Sequence, residues 1–115
     1  MNDSERVTLS GKDPEPGWEE RGAPGPIKAN GQHTDYWVLS EAERAKGFVR
    51  PVRQVYVHDR CGTETRMSMP IAETYARKPS FYGATFCVHC GQHLPVSEFR
   101  WVDERGIQTQ QRLGS

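Results

Sequence analysis

The sequence predicts a small β-rich α+β fold, and three observations predict it. Short stretches of alternating apolar and polar residues recur between turn residues from Val52 to Val102. Two short motifs, His58-Asp59-Arg60-Cys61 and Cys87-Val88-His89-Cys90, each hold two metal-ligand side chains three positions apart and are each followed by glycine. Helix signals are confined to one or two short segments. With 115 residues the chain has length for one domain.

Residues 1–35 differ in composition from the rest. They carry Pro14, Pro16, Pro24 and Pro26, and their one aromatic residue is Trp18. Asp3, Glu5, Asp13, Glu15, Glu19, Glu20 and Asp35 outnumber Arg6, Lys12, Arg21 and Lys28, so the segment is acidic. Such a stretch buries too little apolar surface to offset the entropy of ordering it, and the expectation is an extended or disordered acidic arm. The folded domain is expected over 36–108, with a loose polar tail at 109–115.

Within the domain, Tyr36-Trp37-Val38-Leu39 begins the structure. Ser40 with Glu43 three residues on is a capping box, Lys46 suits a helix C-terminus and Gly47 a stop, which predicts about two helical turns. A helix that short needs packing, expected from Trp37, Leu39 and Phe48. Val52 to His58 reads as a strand, with Val55 and Val57 on one face and Gln54 and Tyr56 on the other. Thr63 to Met69 reads as a second strand. Pro70 opens a helix that Pro79 ends, with Ala72, Tyr75 and Ala76 sharing a face. Gly83 to Phe86 leads into Cys87 as a strand, and Val96 to Val102 is another, with Phe99 and Trp101 on one face. Asp103-Glu104-Arg105-Gly106 fits a hairpin turn.

The charge is balanced, with 15 Lys plus Arg against 15 Asp plus Glu, so net charge draws the chain to neither nucleic acid nor membrane. No apolar run follows Met1, and no stretch approaches membrane-spanning length. The expected location is cytoplasmic, without secretion by signal peptide. Three cysteines cannot all pair in one chain, and Cys87 and Cys90 are too close for an ordinary staple, so the metal reading outweighs the disulfide reading. Zn²⁺ takes four tetrahedral N or S ligands, and His58, Cys61, Cys87 and Cys90 form a Cys₃His set. His93 is the alternative fourth ligand, since Cys90 and His93 also have usable spacing. His89, inside the second motif, is expected to be exposed. No βαβ pattern surrounds Cys87 and Cys90 to suggest a redox pair, and a histidine in the set favours zinc over iron.

Two such motifs followed by glycine resemble the zinc-ribbon class, in which two knuckles at hairpin tips clasp one metal. The resemblance covers about residues 52–105; it departs from the commonest pattern in having His58 where a cysteine is usual. The run Asp35 to Arg53 and the later Ala72 to Arg77 also resemble small proteins of unassigned role from tailed bacteriophages. That likeness implies an origin, and with it the host cytoplasm or a virion as the expected location, and no activity.

A single structural zinc suits a folded part of this size, which usually needs a staple. Zinc contributes on the order of 10 kcal/mol of apparent folding free energy in small domains. Four protein ligands leave no position for water or substrate. The deaminase signature, the His-Glu-x-x-His motif, phosphate-binding glycine loops and the Gly-x-Ser-x-Gly elbow are all absent. No enzyme and no small-molecule substrate is therefore expected. Two functions remain. One is docking on a larger protein assembly, a virion or a host complex, with Trp18 as an anchor in the arm. The other is nucleic-acid binding through Arg44, Lys46, Arg50 and Arg53, which flank Phe48 in a region that is basic on balance. Set against the second is the reading of a solvated face with Phe48 in the core.

Overall fold

The computed structural model describes residues 6–115. The part of the expected arm at 1–5 lies outside the described residues. Eight short strands form three antiparallel sheets among them. In chain order the elements are β1 (Arg6–Thr8), α1 (Trp18–Arg21), β2 (Trp37–Leu39), α2 (Glu41–Arg44), β3 (Val55–His58), β4 (Glu64–Arg66), α3 (Met69–Arg77), β5 (Ala84–Cys87), β6 (Gln92–Pro95), a 3₁₀ turn at Val96–Glu98, β7 (Phe99–Val102) and β8 (Gln108–Arg112).

The largest sheet has the order β4-β3-β7-β8. β3 lies inside it, and its register sets Tyr56 against Thr65 on one side and Trp101 on the other. Alternation along β3 gives way to burial of Tyr56, Val57 and His58 in succession, because the strand is covered on both faces at its end. The core gathers Tyr56, Phe99 and Trp101 from this sheet, Ala72 and Tyr75 from α3, Met67, Cys87 and Leu113. The aromatic rings meet edge to face: Tyr56 on Phe99 at 5.4 Å and Tyr75 on Trp101 at 5.3 Å between centroids.

Both predicted helices form. Ser40 Oγ accepts from the Glu43 N–H at 3.2 Å, so the cap is real, but the Glu43 carboxylate does not close the box. It meets Lys46 Nζ at 2.8 Å instead, with Arg77 at 3.7 Å. α2 is accordingly shorter than two turns. In α3, Ala72, Tyr75 and Ala76 face inward as expected, and Thr74 joins them. The Leu39 N–H donates to Thr74 Oγ1 at 3.1 Å, which fastens β2 to this helix.

Three expectations are corrected. Residues 6–35 lie on the domain instead of extending from it. β1 pairs with β2, setting Arg6 opposite Leu39 and Val7 opposite Val38. Asp35 is buried and accepts from the N–H and hydroxyl of Ser10, while Ala23, Pro24 and Gly25 are buried as well. Composition undercounts such a segment, since its order comes from backbone pairing and pre-stiffened prolines as much as from apolar area. Second, the tail is not loose. Gln108–Arg112 pairs with β7, and Leu113 is 2% exposed. Polar side chains suit an edge strand whose backbone does the pairing. Third, Phe48 is 45% exposed, so it does not pin α2 to the core; Leu39 does.

Candidate metal centre

Each ligand motif sits at the tip of a hairpin. β3 ends on His58 and β4 begins at Glu64; β5 ends on Cys87 and β6 begins at Gln92. The two tips repeat one backbone turn. The Gly62 N–H donates to the His58 carbonyl at 2.7 Å, and the Gly91 N–H to the Cys87 carbonyl at 2.8 Å. Both glycines hold φ near +70° (70° and 67°), the left-handed region that an L side chain rarely adopts. The hairpins are tied together, since the Val88 N–H donates to Thr65 Oγ1 of β4 at 3.2 Å.

This brings His58, Cys61, Cys87 and Cys90 to one point, with their ligand atoms all within 4.8 Å of one another. His58 Nδ1 lies 3.3 Å from Cys61 Sγ and 3.6 Å from Cys90 Sγ, and Cys61 Sγ lies 3.6 Å from Cys87 Sγ. A tetrahedron built on ordinary Zn–S and Zn–N bonds has edges of about 3.8 Å between sulfurs and about 3.6 Å between sulfur and nitrogen. The separations fit that figure and are far from the S–S bond of about 2.0 Å in a disulfide. Four side chains of these types, this close, can bind a metal ion.

The surroundings suit a metal as well. His58 turns Nδ1 to the sulfurs and Nε2 to Glu98 Oε1 at 2.9 Å. With Nε2–H donating to the carboxylate, Nδ1 presents its lone pair to an ion, the usual arrangement of a metal-binding histidine. The ring is 1% exposed and stacks on Phe99 at 4.7 Å, which fixes its orientation. Burial opposes the charged form of His58, and the hydrogen bonds to Glu98 and Cys61 outweigh it and raise its pKa. Burial also pushes the Cys61 thiol up, but hydrogen bonds from the backbone and hydroxyl of Thr63, with those of His58 and Cys87, bring it down to about 6. Cys90 is pushed up to about 11 by burial and by its cysteine neighbours. Such mutual opposition among thiols is what a divalent cation relieves.

His93 is not in this cluster. It sits on β6 opposite Phe86, its Nε2 is 3.0 Å from the Tyr36 hydroxyl, and its ring is 4.9 Å from that of His33. His89 is exposed. Glu98 escaped sequence reading because nothing near His58 in the chain marks it; the pairing of β3 with β7 brings it there.

The residues singled out for partner binding lie apart from the centre in role and engagement. Trp18 is half-buried and packs edge-on against Trp37 at 5.1 Å. Arg44 is committed internally, donating from Nε to the Leu39 carbonyl at 3.0 Å and from Nη1 to Glu73 at 2.6 Å. Arg53 is half-buried, with Nη1 3.4 Å from Gln111 Oε1. Lys46 and Arg50 are exposed, Arg50 donating to the Ser115 and Val49 carbonyls. Among the described residues no helix is long and apolar enough to cross a membrane.

Comparisons of the chain with protein-family models, with curated proteins and with solved structures found no match.

Proposed function

We propose that this chain is a non-catalytic zinc-ribbon protein in which one structural zinc ion staples a surface that docks on a larger protein assembly. The observation that carries the proposal is the Cys₃His set at two matched hairpin tips, 3.3–3.6 Å across its measured edges. A set closed by four protein ligands stabilises and leaves no coordination position for a substrate. The likeness to small tailed-phage proteins makes a virion or a host complex the proposed assembly. The docking surface is assigned to Phe48 and Val49, 45% and 57% exposed on the segment after α2. Two adjacent exposed apolar side chains flanked by Lys46 and Arg50 suit a protein contact with a polar rim.

Metal analysis of the purified chain tests the first part, with one zinc per chain expected and none overturning it. Pull-down from infected cells tests the second. A Phe48→Ser/Val49→Ser variant should lose the partner that the parent captures, and equal recovery would remove this surface from the function.

A nucleic-acid reading is kept for one reason. Phe48 is exposed between Lys46 and Arg50, where a buried ring would have spoken against it. Cation-plus-aromatic surfaces of this kind stack single-stranded bases. Affinity for a single-stranded oligonucleotide that falls steeply with salt would support it, and salt-independent retention or no shift would refute it.

A further inference from the structure

Two adjoining cavities lie away from the metal centre, between the N-terminal segment and the β5–β6 hairpin. The outer cleft, of about 560 Å³, is within the size range of small-molecule sites. Its flat walls are Tyr36, Trp37, Phe81 and Tyr82, and its cation-forming side chains are Arg6, His33 and His93. The inner pocket behind it shares Tyr36, Tyr82 and His93 and adds Arg66. Among the described residues no Asp or Glu lines either cavity, although the chain has as many acids as bases. Asp35, the buried acid of the N-terminal segment, is turned to Ser10 and to the Tyr36 N–H.

The hydrogen bonds of the cleft leave its nitrogens over. The Arg6 guanidinium lies over the Trp37 ring at 4.2 Å, which keeps a positive charge on the wall. The Tyr36 hydroxyl accepts from the His33 N–H and lies 3.0 Å from His93 Nε2, the acceptor for its own hydrogen. Burial, and then the proximity of His33, holds His93 below its ordinary pKa, so the ring is neutral and its hydrogen is on Nδ1. That nitrogen has no hydrogen-bond partner in the fold. His33 is 8% exposed, and its Nδ1 faces the Gly25 carbonyl at 2.9 Å, which can only accept, so Nδ1 carries the hydrogen. Its Nε2 is left with a lone pair and no partner, and unlike Trp37 Nε1 it is not sealed from the cavity. A proton added to His33 therefore arrives at the nitrogen that the cleft can use.

The cleft thus gathers one fixed cation and two imidazoles with no counter-charge on its lining. An anion there would be attracted by Arg6, would accept from His93 Nδ1 and would favour protonation of His33. The aromatic walls favour a flat body for the molecule that carries the charge.

We infer that the outer cleft is a binding site for a small aromatic anion, its ring against the aromatic walls and its negative group beside His33 and His93 in the field of Arg6. The site is independent of the zinc reading and asks nothing of the metal ligands.

The test titrates 1-naphthoate and its neutral isostere 1-naphthamide into the full-length chain as purified and follows backbone amide shifts by NMR. Saturable shifts at residues 33–37, 82–84 and 93 are expected, with naphthoate binding about tenfold more tightly than naphthamide, the factor equivalent to one charge-assisted hydrogen bond. Naphthoate affinity should also rise severalfold from pH 7.5 to pH 6, as His33 Nε2 takes up a proton, and His33→Gln should flatten that rise. Arg6→Met, which keeps an apolar stem on Trp37, should weaken naphthoate severalfold and leave naphthamide unchanged. Absence of saturable shifts overturns the proposal, and so does equal affinity for the two probes. Shifts centred on residues 58–61 and 87–90 overturn it too, since they would put the carboxylate on the metal. A pH rise as steep in His33→Gln as in the parent also overturns it. The two probes are compared on the parent chain, so the decision does not depend on whether either variant folds.

Discussion

At the scale of single residues the candidate metal centre divides into groups that could hold an ion and groups that aim them. Cys61→Ser or Cys90→Ser removes a soft ligand and should leave the domain largely unfolded by circular dichroism, with zinc lost. His89→Ala should leave both unchanged, because that exposed side chain lies outside the ligand cluster. Glu98→Gln keeps the shape of the side chain but weakens its hold on His58 Nε2. Zinc affinity in a competition assay should fall by about tenfold or more, the usual cost of losing such a partner. If Glu98→Gln binds zinc as the parent does, the carboxylate is only a surface neighbour of the ring.

His93 gives a pH dependence at the same scale. Its pKa lies below the ordinary 6.5, through burial and then through His33. The unfolded chain therefore binds this proton more readily than the folded one. The stabilisation is present above about 6.5 and is lost as pH falls from there through the folded value. The groups facing His93 are His33 and Tyr36 from the N-terminal segment and Phe86 across the hairpin, so protonation puts a cation beside a second imidazole. Urea midpoints at pH 7 and pH 5.5 should differ more for the parent than for His93→Gln; equal differences would place the acid sensitivity elsewhere.

Among elements, α2 is held by its cap more than by its length. Ser40→Ala should cost about 1 kcal/mol, read as a lower thermal midpoint. A more telling element is the turn Lys28–Gln32, which rests on the second knuckle. A Cβ on Gly31 would stand 1.9 Å from the Gly91 carbonyl oxygen, nearer than atoms can approach, and φ there is +92°. Gly31→Ala should force the turn off the knuckle and cost about 1–3 kcal/mol, the range for overpacking. A melt identical to the parent's would show that this turn does not bear on the hairpin.

For the whole molecule, the placement of residues 6–35 changes what truncation should do. On composition alone, deleting 1–35 would leave the domain intact. With β1 paired to β2, Trp18 on Trp37 and the 27–33 turn on the knuckle, deletion strips one side of Val38 and Leu39. The thermal midpoint of a chain beginning at 36 should drop by more than about 5 °C, the shift that about 1 kcal/mol makes in a domain near this size. An unchanged midpoint would return the segment to the status of an arm.

The sequence by itself determined which four side chains come close enough to bind a metal ion and most of the short elements that carry them. Both are local in origin. Two ligands three apart and a following glycine specify a tight turn, and a capping serine or an opening proline specifies where a helix starts. It could not determine where polar segments go. β1, β6 and β8 have little apolar signal, and their order comes from backbone N–H and C=O groups finding partners, β6 and β8 on the strand just before them and β1 on a strand remote in the chain, which side-chain periodicity does not record. The tertiary structure decided the rest for the same reason. It set Glu98 behind His58, moved His93 from candidate ligand to a cleft with Tyr36, took Arg44 out of the basic surface and left Phe48 on it. Ligand chemistry is written in the residues, whereas their neighbours are chosen by packing between distant parts of the chain.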